Sequence, residues 1–341
     1  MSLKRICAID LGSDTIKVTD RNEKLYVCEK NMIAIRNKKD VIALGNPAWE
    51  IFEKAPTDVY AGCPVKDGAL AEGRNQELIL VYVLKKFSTF FTRHPNVYIA
   101  APSDISQVER RAYYKIFGGG LGAKKIRFVE KAVADAAGIG MPMDDPMGRM
   151  VVNLGAAHTE IAVLSEGKVI LNRVLPTGGK HLDDVIASMV RRQYQLHIGS
   201  RTAQLLKESL ARMGEKPQGG MKVFGIHSVT GLPKEEEISA LSVSVAIIEN
   251  IDQLAEALQG TLERTPPQLL EDIRQTGIYL TGGVSMIPGL SLYLQKELDI
   301  PVYNVSEPTA CAVRGLVRIM NDPKLRKSLS FSLREFAENT I

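Results

Sequence analysis

The sequence predicts an α/β fold made of two similar halves. Three observations lead to it. Short apolar runs of strand composition alternate with longer helix-periodic segments along the chain. A strand, glycine turn and second strand occur twice, as Ala8-Ile-Asp-Leu-Gly-Ser-Asp-Thr-Ile-Lys-Val18 and as Val152-Asn-Leu-Gly-Ala-Ala-His-Thr-Glu-Ile-Ala-Val163. The chain has 341 residues, more than one compact core usually holds. The duplication predicts two similarly folded halves facing each other across a cleft.

The elements follow in order. Ile6–Asp10 is a short buried strand that stops at a glycine turn, and Ile16–Val18 leaves it. Leu25–Cys28, Met32–Ile35 and Val41–Leu44 predict small strands in an early β-rich segment. Leu78–Phe87 is apolar on most sides, hence a buried helix. The strand Val97–Ala100 leads through Pro102-Ser-Asp104, a helix-start signal, into a helix over Ile105–Phe117 that the triplet Gly118–Gly120 should end. A strand at Ile126–Val129 precedes a helix running to Gly138, and Pro142–Pro146 suits a boundary. The pattern restarts at Met150–Asn153. Helices are predicted over Leu182–Leu196, Thr202–Met213, Ser242–Leu262 and after Pro266-Pro267, with strands near Val223–Ser228 and at Ile278–Thr281. In the last helix, Pro308–Met320, the small residues Ala310, Ala312 and Gly315 permit close packing.

Composition excludes several classes. Apolar residues make up 45% and charged residues 24%, as in ordinary globular proteins, and a formal net charge of +4 is too small to argue for nucleic acid. Cys7, Cys28, Cys63 and Cys311 have no CxxC spacing and read as reduced thiols. His94, His158, His181, His197 and His227 form no metal-binding pair. Met1–Cys7 has no apolar run of signal length, and no stretch approaches the ~20 residues needed to span a bilayer. The expectation is a cytoplasmic protein whose membrane contact, if any, is peripheral.

Each glycine turn offers backbone N–H groups to a phosphate, with neighbouring hydroxyls as further donors. Asp10, at the strand end, suits Mg²⁺ held through water. A third glycine turn, Thr281-Gly-Gly-Val-Ser285, lies between a strand and a helix, where a helix N-terminus favours negative charge. A single such turn is more often a plain hairpin; the three together point to a nucleotide.

With these turns in place, the chain resembles the bacterial actins, and within them the MreB/Mbl family, over nearly its whole length. The stretches that carry the resemblance are Pro64-Val-Lys-Asp-Gly68, Val108-Glu-Arg-Arg-Ala112, Thr177-Gly-Gly-Lys-His-Leu-Asp183, Val190-Arg-Arg-Gln-Tyr194, Val229-Thr-Gly-Leu-Pro-Lys234, Arg264-Thr-Pro-Pro267 and Glu307-Pro-Thr-Ala-Cys311. The resemblance implies an actin-like, duplicated ribonuclease-H-like fold. Domain I would comprise residues 1–146 and 306–341, with a β-rich insert at about 32–65. Domain II would comprise 147–305, with an insert at about 181–245. It further implies ATP and Mg²⁺ as ligands, self-assembly into filaments at the inner face of the cell membrane, cell-wall synthesis or morphogenesis proteins as partners, and a role in cell shape. By the same resemblance Gly12, Ser13, Asp14 and Thr15 match the first phosphate loop, and Gly155, Ala156, Ala157 and His158 the second. Gln204, Lys207 and Glu208 fall where the family holds the nucleoside, and Gly282, Gly283, Val284 and Ser285 match the adenosine-side loop.

The sequence departs from that family pattern at the chemistry. Asn153 stands where an acid is expected, and Ala156 and Ala157 replace glycines, which would strain any backbone that needs positive φ. His158 replaces a hydroxyl, and Lys180 an acidic residue. Lys131 stands at the position of the glutamate that orients the attacking water; Glu130 is adjacent, but one residue along a helix turns a side chain by about 100°. Hydrolysis is therefore expected to be weak or lost, with Glu130 as the possible substitute base. A non-polymerising pseudo-ATPase adaptor at the membrane is the competing reading. Phe90 and Phe91, beside Lys85, Lys86 and Arg93, suit either an interfacial anchor or a core position. Leu325, Leu329, Leu333 and Phe336 fall at helical spacing, in a tail that either binds a membrane or partner or docks on its own domain.

Overall fold

The structure is a computed structural model that describes residues 6–24, 26–66, 69–87, 95–103, 105–214 and 217–332. Its packing divides the chain into two compact units. One comprises Met1–Pro146, Leu164–Asn172 and Thr309–Ile341; the other comprises Met147–Val163 and Arg173–Pro308.

The first unit opens with β1 (Ile6–Leu11), β2 (Thr15–Asp20) and β3 (Tyr26–Lys30), an antiparallel meander. Then β4 (Ile33–Arg36), β5 (Asp40–Leu44), the short helix α1 (Asn46–Ile51) and β6 (Val59–Gly62) form a small three-stranded sheet with its own apolar cluster around Met32, Ala34, Ala48 and Val59. A two-stranded ribbon, β7 (Val65–Lys66) and β8 (Ala69–Leu70), leads to α2 (Gly73–Phe87). The next elements are β9 (Asn96–Ala101), α3 (Gln107–Tyr114), β10 (Lys125–Glu130) and α4 (Lys131–Ile139). β9 lies parallel to β1, and β10 parallel to β9, so three strands end their carboxyl termini on one edge, at Leu11, Ala101 and Glu130.

A second sheet repeats the plan, with residues 164–172 grouped with the first unit and the rest in the second. β11 (Arg149–Leu154), β12 (Thr159–Ser165) and β13 (Lys168–Leu175) are neighbours. They are followed by α5 (Gly179–Tyr194), β14 (Leu196–His197), α6 (Ser200–Leu210), β15 (Gly220–His227), β16 (Pro233–Ser239), α7 (Ala240–Leu262) and α8 (Pro267–Thr276). Then come β17 (Ile278–Thr281), α9 (Leu290–Leu298) and β18 (Val302–Asn304), with β17 parallel to both β11 and β18. The sheet orders are β3-β2-β1-β9-β10 with one added edge strand in the first sheet and β13-β12-β11-β17-β18 in the second sheet. A meander extended by parallel crossover strands, occurring twice, is the duplication that the sequence repeat predicts.

The chain ends in the first unit with α10 (Cys311–Asn321), α11 (Pro323–Leu329) and β19 (Phe331–Ser332), which supplies the added strand beside β10. Leu329 and Ser330 are buried, and Arg127 Nη1 donates to the Ser330 carbonyl at 3.2 Å. The described part of the tail therefore docks on its own unit. Leu333 and Phe336, like Phe90 and Phe91, lie outside the described residues. Among the described residues, no helix is long and apolar enough to cross a membrane.

Two expectations change. Gly118–Gly120 does not end the helix after Phe117; from Lys115 to Gly120 the chain winds on as a wide π-helical segment, with Ile116 and Phe117 buried beneath it. The helix expected to reach Leu196 stops at Tyr194, because Gln195 takes a left-handed conformation (φ 53°) and Leu196 joins a sheet.

The tightest packing in the first unit joins α4 to α10. A Cβ at Gly315 would lie 1.7 Å from the Ala134 carbonyl oxygen, and one at Gly138 2.0 Å from that of Cys311. These two backbones cross at a distance that only hydrogen permits. Gly315→Ala is expected to cost about 1–3 kcal/mol or more by overpacking. Gly119→Ala, whose new methyl meets nothing within 4 Å, should stay within ~1 kcal/mol of the parent. Urea unfolding of the two variants checks the contrast.

Candidate functional site

The two glycine turns close in the same way. Gly12 N–H donates to the Thr15 carbonyl at 3.1 Å, and Gly155 N–H donates to that of His158 at 3.0 Å. A Cβ at either glycine would lie 2.7 or 2.8 Å from the same carbonyl, so glycine is required at both. This closure sets the register of the repeat. Thr15 corresponds to His158, although the next threonine in the second copy is Thr159. None of residues 153–159 has positive φ, so Ala156 and Ala157 fit their turn without the strain expected of them.

The first turn is held from outside itself. Asn31 N–H donates to the Asp14 carbonyl at 2.8 Å, Asn31 Nδ2 to the Gly12 carbonyl at 3.1 Å, and Cys63 Sγ to the Ser13 carbonyl at 3.1 Å. Asn31 and the fully buried Gln76 exchange side-chain amide bonds at 3.0 and 3.1 Å. Sequence reasoning missed these supports. A signal existed, because Gln76 falls on the face of α2 that also carries Ile79, Leu80, Val83 and Leu84, where a buried amide needs a partner.

The ionic contacts at this turn were also missed. Asp10 is buried at the end of β1, in register with Lys17 on β2. Lys131 Nζ donates to Asp10 Oδ1 at 3.0 Å, and Lys17 Nζ lies 3.7 Å from Oδ2 and donates to Thr15 Oγ1 at 2.7 Å. Burial pushes the Asp10 carboxyl up, but the two ammonium groups outweigh it and hold the group below its ordinary value. Lys30 Nζ sits 2.9 Å from both carboxylate oxygens of Asp14 and over the Trp49 ring at 4.5 Å.

The second turn is neutral where the first is charged. Asn153 Nδ2 donates to Thr281 Oγ1 at 3.0 Å. Counted from the shared closure, Glu160 takes the place opposite Asn153 that Lys17 takes opposite Asp10, and it too is buried. The first N–H groups of α5 serve this turn: Gly179 donates to the Gly155 carbonyl and Lys180 to that of Ala156, both at 2.9 Å. Thr159 Oγ1 donates to the Thr177 carbonyl at 2.9 Å. Ser285 Oγ closes the third turn on the Gly282 carbonyl at 2.7 Å, and Gly282 itself has φ 83°.

Of the residues expected near the nucleoside, Lys207 is buried. Its Nζ donates to the Gly179 carbonyl at 2.8 Å and lies 2.7 Å from Asp183 Oδ1, tying α6 to the first turn of α5. Gln204 Nε2 donates to Glu208 Oε1 at 2.7 Å on the exposed side of the same helix. The second unit thus brings Gly155–His158, Gly179, Lys207 and Gly282–Ser285 together; Gln204 and Glu208 pair with each other. Burial raises the Asp183 carboxyl to about 6 despite the opposing Lys207 ammonium.

With this geometry in view, the fold class is actin-like. The MreB5 protein of Spiroplasma citri, solved bound to ADP, superposes with a TM-score of 0.88 at 25% identity, covering 95% of this chain and 98% of that one. A MamK double helical filament subunit shares the fold at a TM-score of 0.77 and 18% identity, covering 93% and 98%. The family described as MreB/Mbl protein matches residues 4–328. The cell shape-determining protein Mbl of Bacillus cereus is 32% identical over 316 residues, 91% of this chain and 94% of its own. The cell shape-determining protein MreB of Escherichia coli is 31% identical over 317 residues, 90% and 91%. The chain belongs to the MreB/Mbl family.

The Asp183 titration is directly measurable. Because the folded carboxyl is the weaker acid, its contribution to stability is largest at low pH and falls as pH rises from 3.8 toward about 6. Carboxyl ¹³C NMR should show a midpoint near 6, and Lys207→Met, by removing the group that lowers it, should move the midpoint higher.

Proposed function

We propose that this protein is a cell-shape-determining bacterial actin that binds an adenine nucleotide and self-assembles, and that it hydrolyses the nucleotide weakly or not at all. The observation that carries the reading is the pair of identically closed glycine turns, in a chain that the MreB/Mbl family matches over residues 4–328. The ADP-bound Spiroplasma citri relative supports nucleotide binding, and the curated relatives named for cell shape support the cellular role. In the proposed arrangement the turn at Gly12–Thr15 and the turn at Gly155–His158 contact phosphates, and the family's place at the inner face of the membrane carries over.

Weak hydrolysis follows from Lys131. The family's water-orienting acid is replaced by a cation bonded to Asp10, and loss of a general base typically costs ~10²–10⁴ in rate. The same pairing, with neutral Asn153 in the second turn, favours a second reading in which the chain is a non-polymerising pseudo-ATPase adaptor.

Pelleting of purified protein with ATP, with and without liposomes, is expected to show nucleotide-promoted sedimentation. Phosphate release at the same concentrations is expected to lie at least ~10²-fold below that of E. coli MreB. Comparable turnover, abolished by Glu130→Ala, would refute weak hydrolysis. ATP binding without sedimentation at any concentration would favour the adaptor.

A further inference from the structure

Asp10, at the end of β1, is the residue expected to hold Mg²⁺ through water, so its surroundings test whether such an ion fits. Mg²⁺ demands near-octahedral oxygen ligands and keeps several waters. Here each Asp10 oxygen faces its own ammonium group, Lys131 on Oδ1 at 3.0 Å and Lys17 on Oδ2 at 3.7 Å. The carboxylate is 7% exposed and the Lys131 side chain 22%, so the acid is the more deeply buried partner. A dication would have to displace one buried ion pair and sit beside a second positive charge. The residues present do not fit the metal.

Lys131 is also in an unusual place. It is the first residue of α4, where the helix dipole disfavours a cation. The bond to Asp10 offsets that penalty. The neighbouring strand contributes Lys17 by register alone, since Asp10 and Lys17 are direct cross-strand partners.

We propose that Lys131, anchored on Asp10 and backed by Lys17, is a built-in cation that takes the place of the divalent metal at the first turn. The inference rests on the nucleotide-binding reading above for its consequence, which is that the polyphosphate is held without a metal ion. One substitution then has two effects: it removes a water-orienting acid and supplies a positive charge where the ligand's phosphates gather.

The test has two arms. In the first, binding of mant-ATP is titrated in Mg²⁺ and in EDTA. The parent protein is expected to bind with affinities within about 3-fold of each other, whereas Lys131→Glu, which sets a second carboxylate beside Asp10, should lose at least ~10-fold in EDTA. Lys131→Gln should shift the same way by a smaller factor, and serves if the glutamate variant fails to fold. In the second arm, free Mn²⁺ is followed by EPR in nucleotide-free protein. The parent should bind no stoichiometric Mn²⁺, Lys131→Glu should bind one ion, and adding Asp10→Asn should abolish it. Stoichiometric Mn²⁺ binding by the parent that Asp10→Asn removes would overturn the proposal, as would a 10-fold EDTA loss in the parent. If no version bound mant-ATP while the Mn²⁺ results came out as expected, the nucleotide reading would fall, and Lys131 as the replacement for the metal would stand.

Discussion

A carboxylate taken out of water has to be matched by positive charge or protonated, and the first unit is organised around that constraint at Asp10. Removing one partner of a buried ion pair typically costs ~3–5 kcal/mol. Asp10 lies at the carboxyl end of β1, inside the edge where β9 and β10 also end. Two positions bring positive charge to it: the cross-strand neighbour on β2 and the residue that opens the helix after β10. Both are lysines. The α4–α10 crossing, close enough to exclude a side chain at Gly138 and Gly315, fixes the helix that carries Lys131 and so the geometry of the pair.

The second unit solves the same backbone problem without the charge. Its turn closes through the same hydrogen bond, yet the strand-end acid has become Asn153, which bonds Thr281 across to β17. The charged pair lies elsewhere, between Lys207 and Asp183, and it ties α6 to the first turn of α5. Two of the N–H groups at that helix start already serve the carbonyls of the turn. Duplication has preserved the scaffold while the electrostatics of the two copies have diverged.

How much of this the sequence disclosed depends on the range of the interaction. The two sheets were legible because strand alternation and the glycine repeat are local signals. The α4–α10 contact was half legible: the small residues of α10 announced close packing, but not its partner. Asn31, Gln76 and Cys63 were not legible as supports of the first turn, because the hydrogen bonds that link them to it span 19 to 50 positions and form only after the sheet and α2 have folded. The register of the repeat follows the backbone, since the shared closure pairs Thr15 with His158, whereas side-chain identity alone would pair it with Thr159.

Lys131 shows why the distinction matters for function. As a letter in the sequence it is a missing glutamate, and the inference stops at lost hydrolysis. As an atom 3.0 Å from Asp10 it is a counter-ion, and in the proposed reading a general base and a metal partner are lost together. The two proposed losses are not independent, because the ammonium that bonds Asp10 offers only donors and has no acceptor for a proton from water. On the proposed reading, the ion pair that stabilises the buried acid also sets the chemistry: it favours holding a polyphosphate over cleaving one.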